Sequence, residues 1–130
     1  MFFENSQDVL KGLIAKSADL ANKPFIHSVV NTNGGFNLEE DNLDLTLNIL
    51  CRDFDGKRLE RYDLELEIFR SNNDLVLVLT KLNYPNDPIL WSGTKNLWLD
   101  SCTGKKCSPP IYSSQLENLA NRIKTSFEFK

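Results

Sequence analysis

The fold is decided by residues 43–68, which read LDLTLNILCRDFDGKRLERYDLELEI. Apolar and polar residues alternate at both ends of this segment, which is the pattern of two β-strands that each bury one face. Between the two ends lies Asp55-Gly56, a dipeptide that favours a two-residue hairpin turn because both positions tolerate positive φ. The segment therefore predicts an antiparallel hairpin with one leucine-rich face.

The same segment predicts the register of this hairpin. With Asp55 and Gly56 as the two loop residues, every apolar residue faces another apolar residue, whereas a slip by one position would place leucines opposite carboxylates. The facing pairs predicted in this way are Leu43 with Ile68, Leu45 with Leu66, Leu47 with Leu64, Ile49 with Tyr62 and, near the turn, Asp53 with Arg58.

Further strands are predicted before and after the hairpin. They are short apolar segments, rich in β-branched residues and bounded by turn residues. The turns are predicted at Asn33-Gly34-Gly35 and Asn72-Asn73. In the register that follows the second turn, Leu77 faces Ile68 and Leu79 faces Leu66. The predicted strands are Phe25–Val30, Leu75–Leu82, Ile89–Trp91 and Leu97–Leu99.

A helix is predicted at each end of the chain. The first is capped by Asn5 or Ser6 and ends before Pro24, which cannot continue a helix. The second begins with Ser114-Gln115-Leu116-Glu117, the spacing of a capping box. Each helix has one apolar stripe that needs the sheet for burial. The stripe of the second helix contains Leu116, Leu119, Ala120, Ile123 and Phe127.

These elements predict an α+β fold in which residues 1–130 form a single domain. Its antiparallel meander sheet has five or six strands, and the N-terminal and C-terminal helices pack on one face of that sheet. With 41% hydrophobic and 25% charged residues, the composition is that of a globular domain. The net charge of −3 argues against a dedicated nucleic-acid binder, because such a protein needs a positive field. No apolar segment approaches the ~20 residues that span a bilayer, and the start of the chain lacks the pattern of a signal peptide.

The three cysteines, Cys51, Cys102 and Cys107, are too few for a disulfide framework and odd in number. They indicate a reducing compartment, and hence the cytoplasm. The loop from Cys102 to Cys107 has three interpretations: a small disulfide, a zinc site completed by His27 and Cys51, or a turn with Gly104 at positive φ. We expect the turn, with no bound metal and no cofactor. His27 is the sole histidine, and no nucleophile elbow accompanies it, so a hydrolase has no motif support.

The face of the hairpin opposite the leucines has two charged regions. An acidic row contains Asp44, Asp63, Glu65 and Glu67, in which Asp44 is predicted to face Glu67. At the tip, apolar residues lie among cations, a mixture that is typical of protein interfaces. These predicted partner-binding residues are Leu50, Arg52, Phe54, Lys57, Leu59 and Arg61.

Trp91 and Trp98 are close in sequence and predict a ligand pocket as an alternative site. In size, acidity and the order helix, sheet, helix, the chain resembles the chaperones of specialised bacterial secretion, although the central helix of that fold is not predicted. The resemblance implies an acidic dimer that binds another protein.

The function that we expect is a non-enzymatic protein-interaction or regulatory module, which binds a protein partner or a second copy of itself as a homodimer. We expect it to bind neither nucleic acid nor membrane. The alternatives are a small-molecule-binding domain or minor enzyme with a pocket near Trp91 and Trp98, and a dimer like the secretion chaperones.

Overall fold

The computed structural model describes residues 6–37, 42–72 and 74–128. Two helices flank six strands in this part of the chain, and a 3₁₀ turn at Glu60–Tyr62 interrupts the segment between the second and third strands. The elements are α1 (Ser6–Ala21), β1 (Ile26–Asn37), β2 (Asn42–Arg52), β3 (Leu64–Ser71), β4 (Asp74–Lys81), β5 (Ile89–Ser92), β6 (Asn96–Leu99) and α2 (Ser113–Glu128).

The strands form one antiparallel meander in the order β1-β2-β3-β4-β5-β6. Both helices cover the leucine-rich face of this sheet, because each has a single apolar stripe to bury. The predicted α+β fold is therefore confirmed. No helix of the described residues is long and apolar enough to cross a membrane. The core joins residues of both helices and five strands: Leu10, Ile14, Ala18, Leu45, Leu47, Ile49, Leu64, Leu66, Ile68, Leu77, Leu79, Leu90, Trp98, Leu116, Leu119, Ala120 and Ile123.

The predicted register of the β2–β3 hairpin is wrong by two residues. Leu47 faces Leu66, not Leu64, and Ile49 faces Leu64, not Tyr62. The shift is even, so the leucines remain on the core face. Leu45 accordingly faces Ile68, and Leu43 does not.

Two features of the connection cause this shift. The turn at Asp55-Gly56 forms, but three residues, 54–56, lie between Asp53 and Lys57, whose backbone N–H and C=O groups bond at 2.9 Å. Gly56 takes the left-handed conformation that closes this turn, with φ +92°. The 3₁₀ turn then lengthens the connection on the β3 side and not on the β2 side. The alternation of apolar and polar residues in β3 therefore begins later in the chain than predicted.

The structure also corrects the first predicted turn. Asn33, Gly34 and Gly35 lie within β1, opposite Thr46, Leu45 and Asp44 of β2, and the strand has a bulge between Asn31 and Asn33. β1 is therefore twice as long as predicted, because glycine and asparagine do not end a strand whose partner continues to pair with it.

The β3–β4 pairing is confirmed, since Leu77 faces Ile68 and Leu79 faces Leu66. The helix α2 begins at Ser113, one residue before the predicted cap, and Glu117 accepts a hydrogen bond from Trp98 instead of closing a capping box. Asn5, Asn73 and the side chain of Phe127, which the sequence assigned to a helix cap, a turn and an apolar stripe, lie outside the described residues.

Candidate functional site

The hairpin tip does not form the single surface that the alternating pattern predicts. Leu50 and Arg52 lie on the open face of the sheet, the face that neither helix covers, and Phe54 is 72% exposed in the turn. After the turn, an isolated bridge between Arg52 and Arg58 precedes the 3₁₀ turn, so the regular alternation of faces is lost. Of the other three predicted tip residues, Lys57 and Arg61 are exposed and Leu59 is half-buried.

Asp63 does not belong to the predicted acidic row, because it is buried and binds backbone and side-chain groups of the hairpin tip. Its carboxylate is 2% exposed, accepts from the backbone N–H of Cys51 at 2.8 Å and pairs with the Arg58 guanidinium at 2.7 and 3.0 Å. Arg58 also donates to the carbonyl of Cys51 at 2.8 Å. The predicted pair between Asp53 and Arg58 is therefore wrong, because the buried carboxylate satisfies several donors at once.

The other three acidic residues remain on the open face, but Asp44 does not face Glu67 as predicted. Asp44 lies opposite Phe69, and Glu67 lies between Thr46 and Val78. The two-residue shift in register thus separates Asp44 from Glu67. Asp44 and Glu67 are exposed and Glu65 is half-buried.

Trp91 and Trp98 lie on opposite faces of the sheet and share no pocket. Trp98 pairs with the core residue Leu90 and is 3% exposed. Its indole N–H donates to Glu117 at 2.7 Å and its ring meets Tyr112 edge to face at 6.2 Å. Trp98 is therefore an anchor between the sheet and α2. Trp91 pairs with Leu97 on the open face and is 37% exposed.

An aromatic platform surrounds Trp91 on the open face, and we define it as Phe69, Val78, Trp91 and Leu97. Val78 and Leu97 flank Trp91 on the neighbouring strands. The ring of Phe69 meets the indole edge to face, with 5.8 Å between centroids. Val76 beside them is 4% exposed although no helix covers it. The sequence pattern indicates Trp91 but not its neighbours, because their proximity depends on pairing across four strands.

Gly93 lies beside the indole in this platform. A Cβ atom at Gly93 would lie 3.7 Å from Trp91 Nε1 and 3.7 Å from a methyl group of Val76, so the β5–β6 turn passes close to the indole. The turn itself is held by Lys124 of α2, whose ammonium donates to Ser92 Oγ at 2.8 Å and to the Gly93 carbonyl at 2.9 Å. The platform is thus supported from the helix layer through the sheet.

His27 lies in a second candidate site, a cavity of about 100 Å³ at one end of the helix layer. Its Nδ1 lies 2.9 Å from Asp19 Oδ1 and its Nε2 lies 3.5 Å from the Asn22 amide nitrogen. Asn22 in turn accepts from Gln115 of α2. This chain of contacts links α1, β1 and α2. The other residues that line the cavity are Ala18, Ala21, Tyr62, Leu64, Lys81, Tyr112, Leu116 and Leu119.

Lys81 is the cation that lines this cavity, and its ammonium group already interacts with an aromatic ring and a carboxylate. Its ammonium lies 3.9 Å from the centre of the Tyr112 ring and 3.7 Å from the carboxylate of Asp87. The Tyr112 hydroxyl donates to the same carboxylate at 3.3 Å. Burial and the nearby negative charge of Asp87 raise the pKa of Tyr112 to about 12, so this hydroxyl keeps its proton at neutral pH.

Cys51 faces His27 across β1 and β2, which places a thiol, an imidazole and the Asp19 carboxylate in sequence. This arrangement does not make Cys51 a catalytic nucleophile. The thiol is fully buried, burial raises its pKa from 9.0 to about 11, and a catalytic cysteine needs the opposite shift. No hydrogen bond joins Cys51 to His27 within the described ranges. The arrangement therefore supports packing and not nucleophilic catalysis.

The loop that carries the other two cysteines is a turn with free thiols. Asp100 Oδ1 accepts from the backbone N–H groups of Cys102 and Thr103 at 2.8 and 2.9 Å, contacts that lower the pKa of Asp100. Gly104 has φ +72°, as predicted. Cys102 is exposed, Cys107 is half-buried, and neither forms a disulfide. Among residues 6–37, 42–72 and 74–128, no three potential metal ligands of the His, Cys, Asp and Glu types lie close enough to share an ion.

Comparisons with known proteins place the chain in a family without assigning it an activity. No curated protein and no solved structure matches the sequence. A family model described as a domain of unknown function (DUF8659) matches residues 11–126, a range that runs from α1 to the last turns of α2. The chain therefore belongs to the DUF8659 family.

Proposed function

We propose that the protein is a non-enzymatic protein-interaction module whose contact surface is the open face of the sheet. The observation that carries the proposal is the aromatic platform, in which a 37% exposed Trp91 is held edge to face by Phe69 where no helix covers the sheet. Tryptophan is enriched among residues that dominate binding energy, and a fixed indole loses little entropy on binding.

The surroundings of the platform favour one kind of partner. Glu67 lies beside Val78, and Asp44 lies beside Phe69, so carboxylates border the apolar surface on its β2–β3 side. An apolar core with a charged rim is the usual anatomy of a protein interface. The partner that fits is a protein segment with an apolar anchor next to lysine or arginine side chains.

The hairpin tip extends the same surface. Thr46 is the residue of β2 that is level with Trp91 of β5, three strands away. Leu50 and Arg52 lie four and six residues farther along β2, which places them about 20 and 25 Å from Trp91 at the usual strand dimensions. An interface of ordinary size, roughly 800 Å² on each partner, covers both regions. Phe54 and the cations Arg52, Lys57 and Arg61 then supply secondary contacts at this end.

We further expect the module to work in the cytoplasm as a homodimer. The secretion chaperones, which the chain resembles in size, acidity and element order, are one class of protein that this proposal covers. The alternative of a small-molecule site between the two tryptophans has no support, because Trp91 and Trp98 lie on opposite faces. The cavity at His27 is small, and its charged groups already have partners.

A selection of peptides tests the proposal. Random peptides displayed on phage are selected against the immobilised protein, and enriched peptides are titrated by calorimetry. We expect an aromatic or aliphatic anchor beside Lys or Arg, and a loss of affinity of about 30-fold or more in Trp91→Asp, the effect of removing a dominant interface residue. Phe54→Asp should cause a smaller loss.

Ile111→Asp is the matched control, because Ile111 is a fully exposed apolar residue outside the open face. It should leave the affinity unchanged. Selected peptides that bind Trp91→Asp as tightly as the wild type would contradict the proposal, as would selected peptides that carry no basic residues.

A further inference from the structure

The two edges of the sheet differ in how they are protected. β6 has four residues, Asn96–Leu99, and the loop after it covers its outer side: Leu99 bridges to Lys106, and the N–H of Cys107 donates to the Trp98 carbonyl at 2.8 Å. β1 has twelve residues, Ile26–Asn37, that include neither a charged residue nor a proline. Exposed edge strands usually carry such residues, because an unprotected edge pairs with other chains.

The hydrogen bonds of β2 show which backbone groups of β1 point outward. The N–H of Cys51 donates to Asp63 and its carbonyl accepts from Leu59, so both groups face away from β1. His27, which pairs with Cys51, must therefore direct its N–H and C=O to the outer edge, and Val29 does the same two residues later. Asp19 Oδ1 accepts from the His27 N–H at 2.7 Å, which confirms this direction.

Val29 is the centre of the unprotected edge. Its outward N–H and C=O have no hydrogen-bond partner among the described residues. The strand is regular from Ile26 to Asn31, where the bulge begins. On the open face beside it, Val30 is 47% exposed and Ser28 is exposed. Within Ile26–Asn31, the outward N–H and C=O of Val29 are thus open to one more strand, whereas the outward N–H of His27 is already bonded to Asp19.

We propose that a second copy of the chain supplies this strand, and that two copies pair antiparallel through β1 with the twofold axis at Val29. Val29 of each copy then exchanges two backbone hydrogen bonds with Val29 of the other, and the sheets join into one of twelve strands. Twofold self-contact is the commonest protein assembly. The inference rests on the homodimer of the proposed function and assigns its interface, which includes neither the aromatic platform nor the hairpin tip.

Helix α1 is self-complementary about the same axis. Lys11, Ala15 and Asp19 are spaced by four residues and share one side of the helix, the side from which Asp19 reaches His27 at the edge. Ala15 lies about 6 Å along the helix from Asp19, and Val29 lies about 6.6 Å along the strand from His27. Ala15 is therefore level with Val29.

The twofold axis at Val29 consequently brings Ala15 near Ala15 of the second copy and Lys11 opposite its Asp19. The small alanines permit a close approach of the two helices. The side chain of Asp19 is 41% exposed, and its contacts with His27 all use Oδ1, so Oδ2 is available to a lysine. This complementarity of charge favours a second copy over an unrelated strand.

Sedimentation velocity and disulfide trapping test the pairing. We expect the wild type to be a dimer, and Val29→Pro, which removes the central N–H where an edge strand tolerates proline, to be a folded monomer. In a Cys102→Ser background, oxidation should link most of Val29→Cys into a covalent dimer, because Cα atoms of such a pair lie about 5.5 Å apart. Val30→Cys, on the other face and out of register, should not cross-link.

Charge reversal provides a test that leaves the strand intact. Lys11→Glu should raise the dissociation constant of the dimer about tenfold, because each twofold interface contains the pair twice. Lys16→Glu makes the same change on the side of α1 toward α2 and should have no effect. A monomeric wild type, or a dimer that resists both Val29→Pro and Lys11→Glu, would overturn the inference. Neither result bears on peptide binding at Trp91.

Discussion

At the residue scale, the chemistry of Cys51 follows from its burial. Its side chain is fully buried, and its backbone is held by Asp63, Arg58 and Leu59. Burial is the main cause of its raised pKa, and the nearby carboxylate of Asp63 adds to it. The thiol is therefore a small core side chain that keeps its proton, which makes it inert toward oxidants and alkylating agents.

This pKa predicts how the stability of the protein depends on pH. The thiol ionises near 9.0 in the unfolded chain and at about 11 in the folded one, so the unfolded state loses its proton first as the pH rises. Between pH 8 and pH 10.5 the wild type should thus lose about 2 kcal/mol more unfolding free energy than Cys51→Ala. Urea unfolding at the two pH values measures the difference, and equal losses would refute the prediction.

At the element scale, the β2–β3 hairpin shows why the alternating pattern predicts faces better than register. The buried faces of both strands follow from alternation, and a shift by two residues preserves them. The shift itself arises from the 3₁₀ turn and from the pairing of Asp63 with Arg58. Asp63, Glu65 and Glu67 are equivalent in the sequence pattern, and nothing in that pattern indicates which carboxylate a guanidinium will bury.

The same reasoning explains what sequence analysis predicted of the candidate site. Trp91 and the tip residue Phe54 are recognisable as large exposed-face side chains. Phe69 and Val78 join Trp91 only through the pairing of β3, β4 and β5, which requires each register to be known. The sequence pattern also does not predict that β6 is a protected edge strand and β1 an unprotected one, because the glycines of β1 indicate a turn.

Asp63 gives the element-scale prediction. Asp63→Ala leaves the buried N–H of Cys51 without its acceptor and leaves Arg58, which is 30% exposed, with the Cys51 carbonyl alone. This loss should cost about 2 kcal/mol of unfolding free energy. Glu67→Ala, four residues later on the open face, should change it by less than about 0.5 kcal/mol. Urea unfolding of both variants checks this, and equal stabilities would show that the tip does not depend on Asp63.

At the scale of the whole molecule, the proposed peptide-binding platform and the proposed β1 dimer together determine where the two binding surfaces of a dimer lie. A twofold axis that joins two β1 edges into one sheet keeps all four helices on one side and both open faces on the other. Each Trp91 is four strands from its own β1 edge. At the usual strand spacing, the two aromatic platforms of a dimer are then about 40 Å apart.

This arrangement predicts that dimerisation multiplies affinity without creating a new contact. Two copies of a selected peptide, joined by a flexible linker of about 50 residues that spans 40 Å, should bind the wild type at least about tenfold more tightly than one copy. Val29→Pro should remove this gain and leave the affinity for one peptide unchanged, because the platform lies four strands away. Trp91→Asp should weaken both peptides and leave the dimer intact. Calorimetry and sedimentation measure the two properties separately, and a gain that survives in monomeric Val29→Pro would contradict the arrangement.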